Sequence, residues 1–128
     1  MRAVIDTVIL IRSLLDPFGW SGAIVFDRAD AYAAIVSPEI VAEYLEVLSR
    51  PRLARKFRPA ETRDLDVVLQ FISRATVVQP SEAVRICRDP EDDKFLAAAR
   101  TGDARYIVSE DLDLLDLRSC KGIGILSA

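Results

Sequence analysis

The chain contains no histidine among its 128 residues. That absence excludes Ser-His-Asp and Cys-His catalysis, and with them any zinc site that needs imidazole. Cysteine is nearly as scarce: Cys87 and Cys120 lie far apart and form no C-x-x-C pattern, so neither a thiolate zinc site nor a redox pair is expected. Long hydrophobic runs are missing too, none reaching the roughly 18 residues that a membrane span requires. No long apolar stretch with a small-residue cleavage site follows Arg2, and the expectation is a cytoplasmic protein without a membrane partner. Charge of one sign is not in excess, with 17 cationic against 20 acidic residues and a net charge of −3. Contact with nucleic acid would therefore have to rest on a local patch. Carboxylates, hydroxyls, lysine and arginine remain to carry chemistry.

The composition, 51% hydrophobic and 29% charged, is that of a globular protein, and the length suits one domain over residues 1–128. Ala3-Val4-Ile5 reads as a first strand, followed by a helix over 9–15 that Asp16-Pro17 stops. Ser21 is positioned to cap a second helix over 22–30. Ala33-Ala34-Ile35-Val36 reads as a second strand. Ser37-Pro38-Glu39 then opens a helix over 38–49, with Ser37 as cap and Pro38 at the first helical position. Pro59-Ala60-Glu61 opens another, whose stripe Leu65, Val68, Leu69 and Ile72 has helical period. Strands are expected over 75–78, 105–109 and 123–126, with helices from about 91 to 101 and over 112–117, and Gly102 capping the former. This alternation predicts an α/β fold, a three-layer α/β/α sandwich around a mostly parallel sheet of four to five strands.

Two acidic signatures stand at strand ends: Val4-Ile5-Asp6-Thr7 and Ile107-Val108-Ser109-Glu110-Asp111-Leu112-Asp113. In open parallel sheets the ligand crevice lies outside the carboxyl ends of the strands, so these carboxylates are expected to converge. Converging carboxylates repel unless a cation sits between them, and a hard divalent ion with oxygen ligands is the natural one. Asp6, Asp111 and Asp113 also occupy positions that suit a helix cap or first turn. Glu43 shares a helix face with Glu39 and Glu46, and matters only if that face borders the crevice; Glu46 is spaced to pair with Arg50. Asp92 heads the row Asp92, Phe95, Leu96 and Ala99, the expected buried stripe of its helix. Asp93 heads the poorer row Leu96, Ala97 and Arg100, so Asp92 is favoured over Asp93.

Residues 50–58 form the one concentrated basic patch, with Arg50, Arg52, Arg55, Lys56 and Arg58 beside Phe57. Such a stripe suits either a solvated connector or a surface that tracks phosphates of a single strand, with Phe57 as a stacking face. An acidic metal site beside a basic stripe fits phosphodiester hydrolysis.

On these motifs the chain resembles PIN-domain proteins over essentially its whole length, in particular the toxin components of toxin–antitoxin pairs, the VapC-like ribonucleases. The resemblance is carried by Asp6-Thr7, by Ser37-Pro38-Glu39-Ile40 leading to Glu43, by the run from Arg88 to Leu96, and by the run from Ile107 to Leu115. It implies that Asp6, Glu43, Asp92 and Asp111 form an acidic catalytic cluster for Mg²⁺ or Mn²⁺, with Asp113 as an accessory ligand and Thr7 or Ser109 supplying hydroxyl contacts. It further implies a metal-dependent endoribonuclease acting on single-stranded RNA, a cognate antitoxin and a homodimer. Two departures stand out: Val8 where the family usually has Asn, and Glu110 where it tends to have Gly. Loss of an amide that orients a ligand or its water typically weakens metal binding or activity about 10–100-fold. A catalytically weakened scaffold that binds RNA or protein is thus the alternative, and a different Mg²⁺-dependent phosphotransfer enzyme is a third reading.

Overall fold

The sheet is organised around a strand buried from both sides. The computed structural model describes residues 1–50, 62–80, 93–110, 112–115, 119–120 and 122–127. Within it, β1 (Arg2–Ile5) presents Ala3, Val4 and Ile5, all buried. Successive strand residues point to opposite faces, so burial of three neighbours means that both faces of the sheet are covered. β2 (Ala33–Val36) pairs parallel with β1, and β3 (Thr76–Val77) pairs parallel with β2. On the other side β4 (Tyr106–Val108) pairs parallel with β1. Beyond it, β5 (Ser119–Cys120) lies antiparallel to β6 (Ile123–Leu126), which is parallel to β4. The order is β3-β2-β1-β4-β6-β5. The α/β sandwich and its parallel sheet are as expected; the two-residue edge strand β5 is additional, too short to leave a periodic signal.

The first helix, α1 (Thr7–Leu15), begins two residues earlier than its apolar run suggests, because Asp6 caps it. It ends at Asp16, whose φ of −138° and ψ of 81° lie outside the helical region, which the following Pro17 disfavours for the residue before it. α3 (Pro38–Leu48) starts as read, with the Ser37 hydroxyl accepting the Ile40 N–H at 3.3 Å. Between them the single capped helix expected over 22–30 gives way to three short pieces. α2 (Trp20–Gly22) leads into a widened turn over Ala23–Asp27 and a tight turn over Ala29–Ala31. Gly19, not Ser21, holds the cap position, since the Ala23 N–H already bonds the Gly19 carbonyl at 3.0 Å. Ser21 is inside the helix and buried. A side chain at Gly22 would overlap the Pro17 carbonyl, so the segment folds back tightly on the end of α1.

α4 (Thr62–Arg74) corrects the expected stripe. Val68 is fully buried and Ile72 partly so, whereas Leu65 and Leu69 are 41% and 47% exposed. The inward row is instead Val68, Phe71 and Ile72, because the Phe71 ring meets Tyr44 edge-on at 6.2 Å and sets the roll of the helix. The expected opening of this helix at Pro59-Ala60-Glu61 lies outside the described residues. α5 (Asp93–Thr101) ends in a Schellman turn, Ala104 N–H to Ala99 carbonyl at 2.8 Å and Asp103 N–H to Arg100 carbonyl at 3.4 Å. Gly102 sits at the cap as read, but Asp103 takes the left-handed turn (φ 55°). Gly102 is required for a different reason: a Cβ there would come within 2.6 Å of Ile35. The last helix described is α6 (Leu112–Leu115).

Tyr44 ties α3 to the sheet. It is fully buried, and its hydroxyl donates to the Ile5 carbonyl at 2.5 Å, just past the Ala3↔Ala34 pair where the described β1–β2 register ends. Tyr44→Phe keeps the ring and leaves a buried acceptor without this donor, which costs roughly 1–3 kcal/mol. The expected result in urea is a lower unfolding midpoint at unchanged slope.

Candidate active site

In doubly wound sheets the crevice opens where the strand order reverses. Here that point lies between β1 and β4, because the chain moves outward from β1 to β2 and β3 before returning to β4. The register sets Ile5 beside Val108, and the Asp6 N–H donates to the Val108 carbonyl at 2.9 Å. The residues that follow the two strands are thereby neighbours. Ser109 Oγ donates to Asp6 Oδ2 at 2.5 Å, and both residues are buried. Asp6 is also the N-cap of α1, its Oδ1 accepting the Val8 N–H at 3.4 Å. The positive end of the α1 dipole favours a negative charge at this point. Cap and crevice carboxylate are one and the same group.

Glu43 comes from the next helix round. Thr7 Oγ1 donates to its Oε2, and Lys94 Nζ lies 2.7 Å from its Oε1. The face of α3 that carries Glu43 does border the crevice, because Tyr44, its neighbour, is plugged into the end of β1. Three helices, α1, α3 and α5, therefore meet at one carboxylate. Both hydroxyls expected near the acidic cluster are used, Thr7 on Glu43 and Ser109 on Asp6. Lys94 was not foreseen. Its only sequence signal is a cation directly after an acidic run, which at a helix start reads as an ordinary solvated pair.

The remaining expected site residues are distributed unevenly. Asp92 and Asp111 lie outside the described residues, and Asp113 falls in α6 with its side chain outside those described. Asp93 is buried, like Phe95, Leu96, Ala97, Ala98 and Ala99 around it. Small alanines let α5 sit close to its neighbours on nearly every side, so the row of Asp93 is also a core row. Glu110 lies 3.9 Å from Arg12, a partly exposed pair. Of the basic patch, Arg50 is described: it is exposed and forms the expected pair with Glu46 at 2.7 and 2.9 Å. Arg52, Arg55, Lys56 and Arg58 lie outside the described residues. Val8 is 44% exposed on the first turn of α1, beside Asp6.

Among the described residues no three Asp, Glu or Cys side chains gather around one point. The donor chemistry at the crevice is nevertheless of one kind, carboxylate and hydroxyl oxygen at Asp6, Ser109, Thr7 and Glu43. Such a set fits a hard divalent ion and not a thiophilic one.

Fold and crevice together define a doubly wound α/β protein with an acidic site at its switch point. Residues 2–113 match the PIN domain family, and the chain belongs to that family. It is 32% identical over 121 residues to the uncharacterised protein MJ1680 of Methanocaldococcus jannaschii, covering 92% of this chain and 76% of the relative. Its fold is similar to that of VapBC2 from Rickettsia felis, solved bound to a DNA fragment from its promoter, with a TM-score of 0.63, 12% identity, and 100% and 99% of the two chains covered. It is also similar to VapBC-1 from nontypeable Haemophilus influenzae, with a TM-score of 0.60, 12% identity and 99% and 98% coverage.

The charges of the crevice are felt at Tyr44. Burial raises its phenol well above the ordinary value of 10.0, and the negative charge of Asp6 raises it further, with smaller contributions from Tyr32 and Glu43. Burial alone raises Tyr32 to about 12. A phenol is neutral when protonated, and both groups ionise at higher pH folded than unfolded. Their contribution to stability is complete below pH 10 and is lost as pH rises from there toward the folded values. Chemical denaturation should therefore show falling stability above about pH 10. A difference titration at 295 nm between the wild type and Tyr44→Phe should show Tyr44 ionising above the ordinary phenol range.

Proposed function

We propose that this protein is a metal-dependent endoribonuclease that hydrolyses phosphodiester bonds of single-stranded RNA. The observation that carries the reading is the junction of Asp6, Ser109, Thr7 and Glu43 at the switch point of a PIN domain. Mg²⁺ or Mn²⁺ would be held by Asp6, Asp92 and Asp111, with Asp113 as accessory. Once bound, such an ion makes water a stronger nucleophile and stabilises negative charge on the phosphate oxygens. Ser109 fixes the rotamer of Asp6, and Thr7 and Lys94 fix that of Glu43. Glu43 orients the attacking water, and with no histidine in the chain the proton passes to a carboxylate or to solvent. Arg50, Arg52, Arg55, Lys56 and Arg58 hold the RNA backbone by charge, and Phe57 offers a face for a base.

We extend the reading to one domain over residues 1–128, acting in the cytoplasm as the toxin of a toxin–antitoxin pair and forming a homodimer. Support for an antitoxin partner comes from the fold shared with two VapBC proteins. Among the described residues no single helix is long and apolar enough to cross a membrane. Val8 favours a second reading, a weakened PIN scaffold that binds RNA or protein, because an exposed apolar side chain stands beside Asp6 where an amide would orient a ligand.

Antitoxin-free protein is expected to cleave a labelled single-stranded RNA with Mn²⁺ or Mg²⁺ and to stop with EDTA or with Asp6→Asn. Val8→Asn should raise the rate by about 10–100-fold. Folded protein that cuts no RNA in any metal, with or without Val8→Asn, would support the scaffold instead.

A further inference from the structure

We propose that Lys94 is a built-in counter-cation of the acidic cluster, and that the site in consequence takes one divalent ion and not two. The inference rests on the metal-dependent reading above and concerns what Lys94 does to it. Lys94 Nζ sits 2.7 Å from Glu43 Oε1, with the two side chains only 14% and 23% exposed. The other oxygen of Glu43 accepts from Thr7, so both are engaged by the chain's own residues. The lysine is further held over the ring of the buried Phe95, with Nζ 5.9 Å from its centroid.

This ion pair differs in kind from Arg50–Glu46 and Arg12–Glu110. Arg50–Glu46 joins side chains that are 55% and 57% exposed, and Arg12–Glu110 is a loose 3.9 Å contact. Such pairs are screened and contribute little. Lys94 and Glu43 are shielded, and Glu43 is bonded to Thr7, the residue after the buried Asp6; enzymes that use two ions carry them roughly 3.5–4 Å apart. A second divalent ion using Glu43 would have to displace the ammonium group from Oε1 or be placed next to it, and like charges at that spacing repel strongly where water is largely excluded. Lysine suits the task, being a compact point charge on a flexible stem. Lys94 is on this account a positioning residue: it fixes Glu43 and supplies one of the positive charges that the cluster needs.

A purely structural staple would leave metal uptake untouched, so metal uptake is what to measure. Mn²⁺ is titrated into the full chain by calorimetry, with free Mn²⁺ followed by electron paramagnetic resonance, for the wild type, Lys94→Met, Lys94→Gln and Lys94→Arg. The wild type and Lys94→Arg are expected to bind one equivalent. The two neutral variants are expected to take a second equivalent, or to bind the first about tenfold more tightly. Circular dichroism melts show whether each variant is folded, and the wild-type stoichiometry tests the inference without any substitution. Two equivalents bound by the wild type would overturn the role of Lys94 while leaving the metal-dependent reading intact. So would folded neutral variants with wild-type stoichiometry and affinity. No Mn²⁺ bound by any of the four proteins would remove the metal-dependent reading itself, and the inference with it.

Discussion

The parallel pairing of β1 with β4 is the constraint on which the site depends. Strands far apart in sequence are set side by side, Ile5 against Val108, and the residues after each strand become partners. Asp6 and Ser109 then share a 2.5 Å hydrogen bond that neither strand could supply alone. A buried carboxylate is costly unless hydrogen-bonded, and here the cost is met by a hydroxyl, a capped backbone N–H and the dipole of α1. Strand pairing, helix capping and site assembly are in this molecule the same few bonds.

A second convergence builds on the first. Tyr44 fastens α3 to the Ile5 carbonyl, and that contact sets the preceding residue, Glu43, against Thr7 of α1 and Lys94 of α5. The same ring receives Phe71 from α4. A single buried tyrosine thus fixes the place of one acidic residue and the roll of the helix beyond. Its own ionisation is suppressed by burial and by the charges it helps to position. Packing and electrostatics are coupled through it.

The sequence was readable where local chemistry and tertiary structure agree. β-Branched runs ending in an acid marked β1 and the crevice end of β4, and Ser37-Pro38 marked the start of α3 because cap and first-turn preferences act within a few residues. It was less readable where tertiary contacts decide. Leu65 and Leu69 belong to a good helical stripe, yet the Phe71–Tyr44 contact rolls them outward. Ser21 has the chemistry of a cap, but the fold-back on Pro17 starts the helix at Gly19. Lys94 could not be distinguished from a solvated lysine until α3 and α5 were brought together. Asp93, on the row expected to be the poorer core face, is buried together with Leu96 and Ala97 of that row.

The central claim is that the end of β1 at the switch point is a divalent-cation site with Asp6 as a ligand. Anomalous diffraction from crystals saturated with Mn²⁺ tests it most directly. The account predicts an anomalous peak in direct contact with a carboxylate oxygen of Asp6. Saturated crystals with no peak at Asp6, or with Mn²⁺ bound only elsewhere on the molecule, would contradict it.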